Sequence, residues 1–209
     1  ISVDVPSRRA APDHPTLLSI DSPLQGIDVA LPPPFGKSAP DTRPLALRLP
    51  LDRATVAASL SYGNQVSAQF SPDGARVDMA LGGDAATLND ADGIRINGRL
   101  GTLDVTAWAD ALAALPTGSG TTAAVVDLDL QIDRLQVDNL GLATVRIRAA
   151  HRAPRWRGRI DAPDLVGTFS LPDARDGEPL IVDLQRLALQ LPIGAEGDDV
   201  EAPVDPTAG

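Results

Sequence analysis

The sequence predicts an all-β protein with one short helix: an elongated, twisted, mostly antiparallel sheet with an apolar groove on one face. Three observations predict this fold class. Aliphatic residues recur at every second position in one segment after another, turn-forming residues separate these segments, and a single stretch has helical spacing. Because successive side chains of a strand point to opposite faces, a period of two gathers the aliphatic side chains on one side.

In the first half of the chain, the alternation begins at Leu18 and is interrupted by three prolines at 32–34. Proline cannot donate to a sheet ladder, so these prolines end a predicted strand. A Pro-Asp-Gly turn at 72–74 predicts a hairpin between its flanking segments. The positions that predict strands here are Leu18, Ile20, Leu24, Ile27, Val29, Leu31, Leu45, Leu47, Leu49, Leu51, Val66, Ala68, Phe70, Val77, Met79, Leu81, Ile94 and Ile96.

The second half holds the clearest half-buried strand, in which four aliphatic residues at 126–132 alternate with Asp127, Asp129, Gln131 and Asp133. Such an alternation is typical of a strand with one face in a core and one in water. The phase of the pattern changes once, between residues 184 and 187. The apolar positions are Val126, Leu128, Leu130, Ile132, Val145, Ile147, Trp156, Ile160, Leu165, Phe169, Leu171, Leu180, Val182, Leu184, Leu187, Leu189 and Leu191.

The short helix is predicted near 105–115, because the apolar residues there fall at helical spacing. Asp104 is the expected N-cap, and Pro116 stops the helix. A helix this short needs tertiary packing, so we expect Trp108 to pack against the sheet and the helix to cover one end of the apolar face. The helical positions are Val105, Trp108, Leu112 and Leu115.

The sequence divides into three parts. Residues 1–15 are polar and proline-punctuated and predict an N-terminal arm, residues 16–193 predict the sheet with its helix, and residues 194–209 predict an acidic flexible tail or linker. The opening residues lack an initiator Met and a charged region, so we expect the chain to be part of a longer protein.

Composition excludes several classes of function. The net charge of −10 argues against nucleic acid as a partner, because phosphate binding needs a positive footprint. The chain has no cysteine and two histidines, which excludes thiolate and histidine-cluster metal sites. Aromatic residues make up only 3% of the chain, so the apolar face is aliphatic, a surface that acyl chains tolerate.

No catalytic motif stands out, and we expect no enzymatic activity and no cofactor. His14 and His151 are interpreted as solvated turn histidines, and no nucleophile elbow accompanies either. The glycine-containing segments at 81–84 and 118–120 do not match phosphate-binding loops. The aspartates of the strand at 126–132 are interpreted as a solvated polar face.

An arginine-rich stretch leaves two interpretations open. It can be a basic stripe that meets lipid headgroups or another anion. It can also be the solvated face of two strands, paired with the aspartates of the preceding strand. With a turn at 138–141, Asp133 is expected to face Arg146 across the ladder. The arginines are Arg146, Arg148, Arg152, Arg155, Arg157 and Arg159.

Two neighbouring motifs carry a family resemblance. The segments 22–26 (SPLQG) and 31–39 (LPPPFGKSA) resemble the S-x-L-x-G…LP-x-P-x-G-K-x-A signature of the YhdP-type AsmA-like proteins, with the chain's single lysine, Lys37, at the signature lysine. Similar pieces follow in the same order at 62–64, 93–98, 103–108, 156–158, 165–167 and 171–172. The resemblance covers roughly residues 16–192, departing from the signature chiefly at Pro33, at Phe35 and in the acidic tail.

The resemblance implies a segment of a large Gram-negative envelope protein that is anchored in the inner membrane and reaches across the periplasm. Its relatives form long curved sheets whose apolar groove is thought to carry phospholipid towards the outer membrane. The implied partners are phospholipid, neighbouring segments of the longer chain, and the inner membrane through an anchor absent here. Exposed sheet edges also make self-association possible.

The first functional hypothesis is therefore a lipid-conducting groove. The predicted wall residues are Leu47, Leu49, Val66, Phe70, Val77, Met79, Leu128, Leu130, Ile132 and Ile147, and the predicted headgroup or rim residues are Arg146, Arg148, Arg155, Arg157 and Arg159. The alternative is a structural or assembly module of the envelope, with a closed core and edge strands that recruit partners. A third hypothesis, a glycan hydrolase, needs two convergent carboxylates that the spacing does not indicate.

Overall fold

The protein forms one open sheet of twelve strands in a computed structural model that describes residues 2–4, 16–51, 56–114, 125–173 and 179–188. The elements are β1 (Ser2–Asp4), β2 (Leu17–Ser22), β3 (Leu45–Pro50), β4 (Ala58–Tyr62), β5 (Val66–Phe70), β6 (Arg76–Leu81), β7 (Gly93–Asp104), α1 (Val105–Ala113), β8 (Val126–Val137), β9 (Leu140–Arg152), β10 (Arg155–Asp161), β11 (Leu165–Pro172) and β12 (Ile181–Leu187). The predicted fold class, an all-β sheet with one short helix, is confirmed.

Every strand pairs with its neighbours in the chain, so the sheet is a meander with β1 and β12 at its edges. All pairs are antiparallel except β6–β7 and β7–β8, which are parallel. A parallel pair needs a crossover connection, usually through a helix. The helix α1 lies in the second of these crossovers, which explains why a helix interrupts the sheet at this point.

One sequence expectation about strands is wrong. Residues 24–31 do not continue the first strand; β2 ends at Ser22, and only an isolated bridge joins Val29 to Lys37. Pro23 and the prolines at 32–34 prevent a longer ladder there. The strand β4 has no counterpart among the predicted strands, because its alternating side chains Ala58, Leu60 and Tyr62 are partly small and partly polar.

The strand register gathers the aliphatic side chains on one face of the sheet, called here the apolar face. Directly paired residues form an apolar row across eleven strands, β2 to β12. In order, the row comprises Ile20, Leu47, Leu60, Ala68, Met79, Ile96, Leu128, Ala149, Gly158, Phe169 and Val182. At a strand spacing of about 4.8 Å, its ten steps extend roughly 48 Å along the sheet.

The space above the one glycine in this row is filled by a neighbouring side chain. A Cβ atom on Gly158 would lie 2.5 Å from the ring of Phe169, so the phenyl ring of β11 occupies the space above β10. Glycine therefore keeps the apolar row continuous, because a larger residue would displace the ring.

Strands β7, β8 and β9 are longer than their neighbours. In each of them the alternation of side chains between the two faces shifts by one residue, and the three shifts lie side by side in the sheet. The slip falls at Gly101, Asp133 and Thr144, the last with a left-handed φ of 54°. As a result the aliphatic side chains on both sides of the slip share the apolar face. These residues are Leu100, Leu103, Ile132, Leu135, Leu142 and Val145.

A cap covers this slipped region; it consists of residues 23–44 and α1. The N-terminus of α1 is held by Asp104, whose Oδ1 accepts a hydrogen bond from the Ala107 amide at 2.9 Å, as predicted. Trp108 packs edge-to-face on Phe35 with ring centroids 5.5 Å apart, and its Nε1 donates to the Pro33 carbonyl at 3.3 Å. The two parts of the cap thus hold each other.

Polar contacts fix the loop of the cap to the sheet. The hydroxyl of Tyr62 donates to the Phe35 carbonyl at 2.8 Å, and Nη1 of Arg43 donates to the same carbonyl at 2.9 Å. Lys37 is buried and its Nζ donates to the carbonyls of Ile27 and Ser38. The lysine of the signature therefore satisfies buried backbone acceptors of the loop.

Replacing Ile132 by alanine should destabilise the protein strongly, because this side chain is 1% exposed at the centre of the cluster under the cap. Removing it leaves a cavity, and the expected loss of unfolding free energy is about 2–5 kcal/mol. The matched control is Leu49→Ala, at a side chain that is 38% exposed, with an expected loss of about 1 kcal/mol or less. Urea denaturation measures both, and equal losses would contradict the buried cluster.

Candidate functional site

The apolar face has a closed part and an open part. Under the cap, the apolar side chains form a dry cluster that includes Ile132 and Val145, each 1% exposed. Among the described helices and strands, only α1 packs over a face of the sheet. The rest of the apolar face therefore carries no described helix or strand above it. Most of its larger side chains are half-buried or exposed, whereas the small side chains of Ala68 and Ala149 are buried.

The open part is most accessible near the two ends of the sheet. Leu49 on β3 is 38% exposed, and on the last two strands Leu171 and Val182 are 43% and 49% exposed. Aliphatic side chains on one side of a sheet, with no packing layer above them, are a surface that an apolar ligand or another apolar surface can cover.

The register places all ten predicted wall residues on the apolar face. Two of them belong to the closed part: Leu130 is 8% exposed and Ile132 is 1% exposed. The other eight lie in the open part or on its border with the cap. Their contact with lipid stays a prediction; these eight are Leu47, Leu49, Val66, Phe70, Val77, Met79, Leu128 and Ile147.

The predicted rim arginines lie on the opposite, polar face of the sheet, because each alternates with an apolar-face residue of β9 or β10. The backbone therefore separates their guanidinium groups from the apolar face. Arg148 and Arg159 both contact Asp161, at 3.6 and 2.8 Å, and Arg155 donates to Ser170 Oγ at 3.2 Å. Their contact with headgroups stays a prediction, but these five arginines do not border the apolar row.

The expected pairing of Asp133 with Arg146 is wrong. The hairpin turns at Asp138 and Asn139, so Arg146 is opposite Gln131 and forms its ion pair with Asp129 at 2.7 Å. This hydrogen-bonded ion pair raises the pKa of the Arg146 guanidinium above its ordinary value. Asp133 instead accepts hydrogen bonds from Arg99 of β7, at 2.9 and 3.2 Å.

The interpretation of His151 as a solvated turn residue is also wrong, whereas His14 lies outside the described residues. His151 is in β9, on the apolar face, with a side chain that is 13% exposed. Its Nε2 lies 3.0 Å from Asp173 Oδ1, and its ring lies 5.0 Å from the ring of Trp156. The alternation of Val145 and Ile147 carries this signal, since two further steps along β9 reach His151.

This histidine marks one margin of the apolar face. Val126, His151, Trp156 and Leu171 are paired in sequence across β8–β11, one step along the strands from the apolar row and on the side away from the cap. The indole N–H of Trp156 has no hydrogen-bond partner within the described part of the chain. The margin thus combines an amphipathic ring, an imidazole and a carboxylate.

Two aspartates on the polar face of β8 form ion pairs with arginines of β9. Asp127 accepts from Arg152 at 2.9 Å, and Asp129 accepts from Arg146 at 2.7 Å. No group of His, Cys, Asp or Glu side chains in the described ranges has the arrangement of a metal site.

Single cysteines should separate the two parts of the apolar face cleanly, because the chain has no cysteine of its own. A cysteine at Leu49 should react with a maleimide on the order of 100-fold faster than one at Ile132, since the latter must wait for the cap to open. Mass spectrometry of the labelled protein gives both rates. Similar rates would show that the cap does not close over β8.

Comparison of the whole chain with known proteins gives one family match. A family model described as "YhdP protein" matches residues 1–208. No curated protein and no solved structure matches the chain. Within the described residues, no helix is long and apolar enough to cross a membrane. A match over nearly the full length, on a chain that folds as a long open sheet, establishes that the chain belongs to the YhdP family.

Proposed function

We propose that this chain is a section of a lipid-transfer protein that shelters phospholipid acyl chains on its open apolar face between the inner and outer membranes. The observation that carries the proposal is the apolar row, which crosses eleven strands without a polar side chain. Membership of the YhdP family and a long open sheet fit an envelope protein of the lipid-transfer kind.

The proposed mechanism is non-covalent and needs no enzyme chemistry or cofactor. Each Å² of apolar surface removed from water stabilises the complex by about 25 cal/mol, so partial burial of acyl chains offsets their exposure to water. The wall is apolar and continuous from β2 to β12, with Phe169 as the one aromatic residue of the row. A surface without polar side chains offers no specific hydrogen bond, and the lipid can therefore slide along the sheet rather than stop at one position.

The cap restricts where acyl chains lie. Residues such as Ile132 and Leu135 are sealed beneath Phe35 and Trp108, so they support the sheet rather than contact lipid. Acyl chains are confined to the apolar row and to the next row of apolar-face residues, on the side of the apolar row that is away from the cap. In this proposal the cap acts as one wall of the groove and the sheet as its floor.

Headgroups are assigned to the margin that holds His151 and Trp156 rather than to the arginines of the polar face. Tryptophan rings favour the boundary between apolar and wet surroundings, and the Trp156 N–H is available to a phosphate or carbonyl oxygen. Asp173 keeps this margin polar. The arginine stripe projects from the other side of the backbone, where an acyl chain lying on the apolar row does not reach.

The proposed location is the periplasmic part of an inner-membrane-anchored protein. Neighbouring segments of a longer chain are proposed to continue the sheet. The edge strand β12 suits this role, since Ile181 and Leu187 are 57% and 52% exposed and its outer edge has no strand partner among the described residues. Self-association through the same edge remains the other use of such a strand.

The edge also supports a second candidate, a structural or assembly module of the envelope. In that case the apolar side chains of β11 and β12, including Val182, cover a partner protein instead of lipid. The two candidates differ at Leu49, which lies far from this edge in the order of the strands. Lipid transfer requires lipid at both ends of the apolar face.

Photocrosslinking in cells tests the proposal directly. A photoreactive amino acid at Leu49 or at Val182 should capture phospholipid, because both side chains are exposed on the apolar face. The matched controls are the next positions on the same strands, Arg48 and Asp183, whose side chains project from the polar face. Mass spectrometry of the crosslinked products should show at least about tenfold more lipid at the apolar sites, reflecting a preference above 1.4 kcal/mol.

Equal lipid capture at Leu49 and Arg48 would contradict the proposal, because it would show that the faces are not distinguished. Protein crosslinks at Val182 with no lipid at either apolar site would favour the assembly module. Expression and thermal melting of each variant confirm that the substituted proteins fold before the products are compared.

A further inference from the structure

The polar face contains a hollow of about 680 Å³ across strands β7–β10. Two rows of directly paired residues form it. One row runs Arg95, Asp127, Ala150 and Arg157, and the adjacent row runs Asn97, Asp129, Arg148 and Arg159. The hollow is thus built on paired strands rather than on loops, and its positions are fixed by the ladder.

Ala150 explains why a hollow exists there. It is the one small side chain among longer polar neighbours in its row, between Asp127 on β8 and Arg157 on β10. Its methyl group leaves the centre of the row low while the flanking arginines rise around it. The hollow therefore has a small apolar floor, and its polar lining consists of four arginines, two aspartates and Asn97.

The negative charges at the hollow are neutralised from outside it. Asp127 is held by Arg152, and Asp129 is held by Arg146; neither arginine lines the hollow. Arg148 and Arg159 share one carboxylate, that of Asp161, which also lies outside the lining. The two aspartates that line the hollow are therefore paired with arginines outside it, and the single carboxylate of Asp161 is shared between two arginines of the lining.

Arg157 is the arginine of the hollow that no described carboxylate neutralises. It is exposed, and it has no ion pair or hydrogen bond within the described part of the chain. Arg95 reaches Asp78 only at 3.8 Å. Six arginines of this region, Arg95, Arg146, Arg148, Arg152, Arg157 and Arg159, are accompanied by the four aspartates Asp78, Asp127, Asp129 and Asp161. These ten side chains carry two more positive than negative charges, in a chain whose net charge is −10.

We propose that this hollow binds a phosphate group, with Arg157 as its principal ligand and Arg148 and Arg159 beside it. A guanidinium presents planar paired donors that match phosphate oxygens, which makes arginine the preferred residue for this anion. The hollow lies on the face opposite the apolar row, so this site is separate from the surface proposed to hold acyl chains and does not rest on that proposal.

The phosphate can belong to a soluble phosphate ester or to the headgroups of a membrane surface, and the same chemistry serves both. A sheet that presents this hollow to membrane headgroups would keep its apolar face free for acyl chains. Inorganic phosphate tests the shared chemistry, and vesicles of phosphatidylglycerol in phosphatidylcholine test the membrane source.

The experiment compares the full chain with three variants. Arg157→Gln removes the unpaired charge, and Ala150→Leu fills the floor of the hollow. The matched control is Arg134→Gln, which removes another exposed arginine that has no ion pair among the described residues and lies outside the hollow. Phosphate binding is measured by isothermal titration calorimetry at low salt, vesicle binding by flotation, and folding by thermal melting.

We expect Arg157→Gln and Ala150→Leu each to weaken phosphate binding about tenfold, while Arg134→Gln leaves it within twofold of the unchanged chain. Vesicle binding that falls in parallel identifies the membrane as a source; phosphate binding without vesicle binding identifies a soluble ester. Absence of phosphate binding to the unchanged chain, or equal losses with Arg157→Gln and Arg134→Gln in folded proteins, would overturn the proposal.

Discussion

Strand register is the constraint on which the rest of this structure depends. A shift of one residue at any pair would move a whole set of aliphatic side chains to the polar face. Instead, the register keeps a single apolar row from Ile20 to Val182, through two parallel pairs as well as the antiparallel ones. The same register produces the polar hollow around Ala150 on the other face. Both proposed sites are therefore consequences of one pairing pattern.

The long central strands add a second level to this arrangement. At Gly101, Asp133 and Thr144 the alternation slips together on three adjacent strands, and the apolar side chains beyond the slip stay on the same face. That extension gives the cap a dry surface to pack on, and the crossover between β7 and β8 supplies the helix that packs there. The cap and the open part of the face are thus complementary: one stabilises the sheet, and the other remains available to a ligand.

The two-residue period predicted the sheet and the face of each wall residue, because it depends only on local side-chain alternation. It could not predict the parallel pairs, the slip at Thr144 or the turn at Asp138, since these depend on backbone conformation and on which strands meet. The partner of Asp133 is therefore Arg99 rather than the predicted Arg146. For His151 the alternation predicts the correct face of the sheet. The neighbouring arginines instead indicate a solvated turn, and that interpretation is wrong. The sequence could not separate the open part of the apolar face from the closed part. Ile132 and Leu49 are both aliphatic residues of alternating strands, and only the position of the cap distinguishes their exposure.

The central claim is that acyl chains contact the open part of one face and no other surface. Methyl resonances of the isotope-labelled protein, recorded with a phospholipid that carries a paramagnetic doxyl group on its acyl chain, test this claim most directly. The account predicts strong broadening for Leu49, Leu128 and Val182 and little change for Ile132 and Val145 beneath the cap. Broadening of Ile132 equal to that of Leu49, or no selective broadening on the apolar face, would contradict it.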